Sequence, residues 1–211
     1  MDDTRYRRIR SLVRKLNRQR HEQAKKIDLL CNDMVGAHRE FVLQLENLSA
    51  GFTFYESLLG HNDLGQILAT TFNYVYRHVN ECEVAIFLTD GHNFQVHQAE
   101  SRTAISKKVE KLWGSFTNET VNEISRANAI TELGTMFELG LQGNLRLLNE
   151  ISAAAVPIGR VNGPLGFILI CRDIANPLTS GELAKVNAVS LGLCRSIRSG
   201  NCLADPSSVD E

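Results

Sequence analysis

Five cysteines, two closely spaced histidines and one glycine-rich turn are where this sequence could carry chemistry. The thiols are Cys31, Cys82, Cys171, Cys194 and Cys202. They are odd in number and include no Cys-x-x-Cys step, so free thiols in a reducing compartment explain them better than a disulfide frame or a zinc site. Cys82 and Cys171 fall on or beside segments expected to be neighbouring strands. A redox pair there would need Cα atoms about 4.4–6.8 Å apart, and buried free cysteine is the plainer reading. His92 and His97 stand five residues apart. Without acidic or thiol partners at ligand spacing they suit a turn or a surface better than haem or metal ligation. The run Gly159–Gly166 lacks the Gly-Lys-Ser/Thr ending of a phosphate loop and leads into an apolar, strand-like run. Ser, His and Asp are all present, yet no spacing places them together as a triad. The chain therefore reads as a non-enzyme, and its residues point to no metal and no particular cofactor.

Charge is unevenly spread. Ten Lys/Arg against three acids in residues 1–26 give +7, so the remainder, for a net charge of −1, carries −8. Such a split marks a basic arm. Either it keeps a charged helix face solvated or it meets an acidic partner. Only Tyr6 interleaves aromatically and no helix-turn-helix pattern is visible, so nucleic acid is not the expected partner. Hydrophobic residues make up 43% of the 211, enough for a core. No window approaches the ~18 consecutive apolar residues of a membrane span, and the N-terminus lacks the apolar core of a secretory signal. A cytoplasmic location is expected.

The elements that would position a site are best defined near the C-terminus. Apolar runs at Ala153–Ile158 and Leu165–Cys171 flank a Gly/Asn-rich turn and predict an antiparallel hairpin. After Pro177, Thr179 and Glu182 form a capping box, and Leu183, Val186, Val189, Leu193 and Ile197 give the helix that follows an apolar face. Upstream, Asp63 caps a helix whose apolar face is Leu64, Ile67, Leu68, Phe72 and Val75. Glu83–Asp90 and Phe94–Ala99 read as two strands joined by an Asp-Gly turn. Between them and the late hairpin, helices are expected at Ile105–Trp113, Glu119–Ser125 and Met136–Leu148, with a short strand at Ala129–Thr131.

Ahead of all this, residues 9–55 contain no proline and carry a seven-residue pattern. Its clearest apolar members are Ile9, Val13, Leu16, Ile27, Leu30, Met34, Phe41 and Leu48, with polar interruptions at Arg20, Gln23 and Gln44. A helix of ~45 residues would run ~68 Å, more than a compact domain can cover. A parallel dimer through this seam is expected, against the alternative of two shorter helices folding back. Gly36 and Gly51 are candidate break points, each costing about 1 kcal/mol relative to Ala. The resulting division is a helical extension over 1–60, a folded domain over 61–200 and a disordered tail over 201–211.

Several of these motifs together resemble the GAF domain, a small sensory α/β module. They are Val156-Pro157-Ile158, Leu165-Gly166-Phe167-Ile168-Leu169 and Pro177-Leu178-Thr179 with Glu182-Leu183. Upstream, Asp63-Leu64 with Ile67-Leu68, and Val84 with Ile86-Phe87-Leu88, extend the resemblance. It implies an α+β fold: an antiparallel sheet with helices on both faces, here preceded by the long helix. It also implies a ligand pocket walled by the middle region. On that analogy, and because both faces of the strands are apolar, the candidate lining is Phe87 (or Ile86), Val96, Trp113, Phe116, Phe137, Ala155, Phe167 and Ile168. Such a wall suits a small apolar or aromatic ligand, or none, over an anionic nucleotide. The Asn-Lys and Asp-Glu signature of the cyclic-nucleotide branch and the bilin-linking cysteine are missing. So are the clustered middle-region cysteines of the free methionine sulfoxide reductases.

The function expected from the sequence is a stand-alone sensory or regulatory module. It would form a homodimer through its N-terminal helix and pass ligand or partner state to another signalling protein. A redox enzyme of the methionine sulfoxide type and a pure interaction scaffold are the alternatives.

Overall fold

A computed structural model describes residues 3–61, 63–89, 93–99, 103, 105–127, 129–159 and 163–199. His92 and the expected tail over 201–211 lie outside the described residues. The chain falls into two compact units, Met1–Glu46 and Asn47–Glu211.

Helix α1 (Asp3–Leu58) runs through both anticipated break points. Gly36 has open space where a side chain would be, so it costs only propensity. Gly51 has a packing reason: a Cβ there would lie 2.9 Å from the Ala188 carbonyl oxygen, so glycine lets two helices of the second unit touch. The last turns of α1 belong to that unit, not to the extension, because Phe54 and Leu58 are each only 2% exposed in its core. Helix α2 (Leu64–His78) opens as expected on Asp63, whose carboxylate accepts from the Gln66 backbone N–H at 3.1 Å.

Strands β1 (Glu83–Thr89), β2 (Phe94–Gln98), β3 (Thr131–Glu132), β4 (Ile151–Ile158) and β5 (Gly166–Asp173) form one sheet in the order β2-β1-β5-β4-β3. All pairings are antiparallel. β1 is buried at every position and β5 at all but its last, which requires cover on both faces. One face packs on α2, α6 (Ser180–Ser199) and the end of α1, through Val84, Ile86, Leu88, Ala154, Val156, Ile168 and Ile170. The other packs under α3 (Ser106–Trp113), α4 (Asn118–Arg126) and α5 (Leu133–Glu138), through Ala85, Phe87, Ala153, Ala155, Phe167, Leu169 and Cys171.

The α+β architecture follows the sequence reading. In the middle region the short strand expected at Ala129–Thr131 lies at Thr131–Glu132, and no helix covers Met136–Leu148. α5 ends at Glu138, and Gly140 takes φ +96°, a left-handed conformation that stops a helix. Only a 3₁₀ turn (Leu145–Asn149) follows.

Candidate functional site

The sheet face beneath α3–α5 carries the residues expected to line a pocket. Phe87 and Phe167 are directly opposite each other on β1 and β5, and their rings stack at 4.7 Å. Phe116, in the turn between α3 and α4, packs on both, at 4.8 Å from Phe87 and 5.8 Å from Phe167. Phe94 of β2 adds a contact to Phe87 at 5.8 Å. Trp113 closes the end of α3, Ala155 lies on β4, and half-buried Val96 and Phe137 pack at the margin of the same cluster. Seven of the eight expected lining residues thus share one face. Ile168 does not: it packs in the opposite core, with Ile86 and Val156. Successive strand residues alternate faces, so Phe167 and Ile168 cannot both line one pocket; Ile86, the alternative to Phe87, faces away for the same reason.

This face is largely occupied by its own aromatic side chains. Offset ring pairs at these separations add stabilisation beyond the area they bury. One polar atom stands out among them: the indole N–H of Trp113 is buried with no hydrogen-bond partner among the described residues.

Cys82 and Cys171 are free thiols that face different cores. Cys82 joins the core beneath α2 and α6, whereas Cys171 faces α3–α5. Burial pushes the Cys82 thiol up to about 12, and the thiol donates to the Val79 carbonyl at 3.1 Å. Burial also raises Cys171. Both are thiols, not thiolates, at neutral pH, and only the thiolate is nucleophilic. His97 sits half-buried on β2, and desolvation lowers its pKa. No group of three or more His, Cys, Asp or Glu suited to a metal occurs among the described residues.

Sequence reasoning missed two buried charges near one end of the sheet. Arg172, 3% exposed at the end of β5, donates from Nη2 to Glu182 Oε1 at 2.7 Å and from Nη1 to Oε2 at 3.4 Å. Glu182 is also the capping-box acid: the Thr179 N–H and hydroxyl donate to its Oε2 at 2.9 and 2.7 Å. In return, the Glu182 N–H donates to Thr179 Oγ1 at 3.3 Å. Burial pushes the Glu182 carboxyl up, but the Arg172 and Thr179 donors outweigh it and hold the group below its usual range. The cap thus ties α6 to the sheet. Glu83, 1% exposed at the start of β1, accepts from the Thr103 N–H at 2.7 Å and from its hydroxyl at 2.6 Å. An arginine closing an otherwise apolar strand is the one signal that could have found the first pair.

The seam residues Ile9, Val13, Leu16, Ile27, Leu30, Met34, Phe41 and Leu48 are 50–70% exposed. Within the second unit, the last turns of α1 meet both α2 and α6. Phe54 sits edge-on to Tyr74 at 5.0 Å, and Gly192 lies beneath Tyr55, where a Cβ would be 3.4 Å from the ring.

No family model matches the chain, and no curated protein does. Solved structures do. The GAF domain/HD domain protein from Geobacter sulfurreducens is 15% identical with a TM-score of 0.52, over 69% of this chain and 98% of that one. The GAF domain of a phosphoenolpyruvate-protein phosphotransferase from Coxiella burnetii is 14% identical with a TM-score of 0.53, over 76% of this chain and 97% of that one. Its Acinetobacter counterpart is 12% identical with the same TM-score, over 78% and 98%. At such identities the likeness establishes the fold, and the fold is that of a GAF domain.

Proposed function

We propose that this GAF-fold chain is a non-enzymatic regulatory module of the cytoplasm. It dimerises in parallel through α1 and passes the state of a protein partner to another signalling protein. The observation that carries this reading is the contrast along one helix. Eight seam side chains are half or more exposed, while Phe54 and Leu58 of the same helix are fixed in the domain core. Exposed apolar residues at heptad spacing lower their free energy by packing against a second copy. Any change in how α2 and α6 pack reaches the last turns of α1 through Tyr74 and Gly192. A two-state shift there can travel only if the input distinguishes the two states. The mutually packed rings of Phe87, Phe116 and Phe167 favour a macromolecular input over a small molecule, and protonated thiols that face different cores weigh against a redox enzyme. Oxidative cross-linking tests the parallel arrangement. In a Cys31→Ala, Cys202→Ala background, Met34→Cys is expected to give a disulfide-linked dimer at micromolar concentration, because equivalent seam positions meet in a parallel pair. Absence of that product under conditions that oxidise a model dithiol would contradict it.

A small apolar or aromatic ligand is the second reading, favoured by the buried Trp113 indole N–H. Buried donors are normally paired, and a ligand with a single acceptor would supply the partner within an apolar wall. Native mass spectrometry before and after organic extraction decides between them. A reproducible excess mass supports the ligand, and a clean apo mass supports a core closed on itself.

A further inference from the structure

The first turns of α1 segregate their side chains more sharply than a dimer seam requires. At 100° per residue, Tyr6, Ile9, Leu12, Val13 and Leu16 fall within an arc of about 120°. Arg8, Arg10, Arg14, Lys15 and Arg18 occupy the opposite side. All of them are exposed, and Leu12, which lies outside the heptad seam, is 63% exposed. No Asp or Glu occurs between Asp3 and Glu22, and among the described residues only Arg18 of the five has an acidic neighbour, Glu22 at 3.1 Å. Arg20 and Gln23 then fall inside the apolar arc and interrupt it. The seam resumes at Ile27, so the first turns form an amphipathic unit of their own.

From this segregation we infer that residues 6–18 form an interfacial helix that lies on an anionic phospholipid surface. The apolar arc would enter the headgroup boundary while the arginines reach lipid phosphates. A helix with a narrow apolar face, a basic polar face and low mean hydropathy suits the plane of the interface rather than a span, and no described helix is long and apolar enough to cross a membrane. Clusters of four to eight Lys/Arg on such a helix are attracted to anionic lipid. A nucleic acid would use the same charges but would leave Leu12 and Ile9 idle, which is why the bilayer is the favoured partner. Ile9, Val13 and Leu16 can meet a second copy or the bilayer but not both at once, so on a membrane the dimer seam begins at Ile27, and Leu12 belongs to the arc alone.

Co-sedimentation of the full chain with lipid vesicles tests it. Vesicles containing roughly 30% phosphatidylglycerol in phosphatidylcholine are expected to bind the protein at about 0.15 M salt, and pure phosphatidylcholine vesicles are not. Replacing Arg8, Arg10, Arg14 and Lys15 with Gln should weaken binding on the order of a hundredfold or more. Leu12→Gln should weaken it roughly tenfold while leaving the mass in light scattering unchanged. These side chains are exposed, so unaltered far-UV circular dichroism is expected for both variants. Equal binding to neutral vesicles, or no binding to anionic ones, would overturn the inference. So would a Leu12→Gln variant that binds like the parent, since that would mean simple charge attraction. A roughly 20-base-pair duplex that binds where vesicles fail would reassign the face to nucleic acid.

Discussion

Replacing Glu182 with Gln isolates what the capped ion pair contributes. The carboxylate takes two hydrogen bonds from Thr179 and two from Arg172. Gln keeps the shape but loses the charge, leaving the guanidinium of a 3% exposed arginine without its counter-ion. Breaking a buried pair from one side costs about 3–5 kcal/mol, and a weakened cap accounts for about 1 kcal/mol of similar losses. Because the two effects share the same atoms they do not add, and about 3 kcal/mol is expected. For a domain of this size that lowers Tm by roughly 6–12 °C. Urea denaturation followed by circular dichroism measures it, and Arg172→Met with Glu182→Gln should recover most of the loss by removing the orphaned charge. The pH dependence carries a definite sign. The folded carboxyl lies below its ordinary value, so its stabilisation is present above the unfolded pKa of about 4.3 and is lost as pH falls through the folded pKa. The gap between parent and variant should therefore close in acid. A penalty under about 1 kcal/mol at pH 7, or a gap that widens towards acid, would refute the reasoning.

Two further outcomes follow from the same geometry. Gly166→Ala should destabilise by about 2–4 kcal/mol, because φ is +140° there and a Cβ would lie 1.8 Å from the Phe87 carbonyl oxygen; chemical denaturation reads this directly. Under native conditions at pH 8, an aromatic disulfide reagent should label exposed Cys31 rapidly and buried Cys82, Cys171 and Cys194 only on unfolding, as peptide mapping would show.

What the sequence disclosed was mostly local. The hairpin of β4 and β5, the Asp63 cap and the Thr179–Glu182 box each depend on residues within a few positions of one another, so their types and spacing suffice. The face assignment of Ile168 was not legible, because a strand apolar on both sides gives no periodic signal to separate them. The end of α5 turned on the left-handed conformation of Gly140, which a glycine permits but does not announce. The Arg172–Glu182 pair joins residues ten apart across a strand-to-helix turn, and only the assembled sheet shows that the cap also serves a buried charge. Gly51 looked like a helix break and is instead a contact, since its reason lies in Ala188, far along the chain.

Light scattering coupled to size exclusion tests the dimer through α1 most directly. At micromolar concentration the full chain should elute with twice its 23.5 kDa mass, and a chain lacking residues 1–45 should elute as a folded monomer. A monomeric full chain would contradict the account, and so would a truncated chain that remains dimeric.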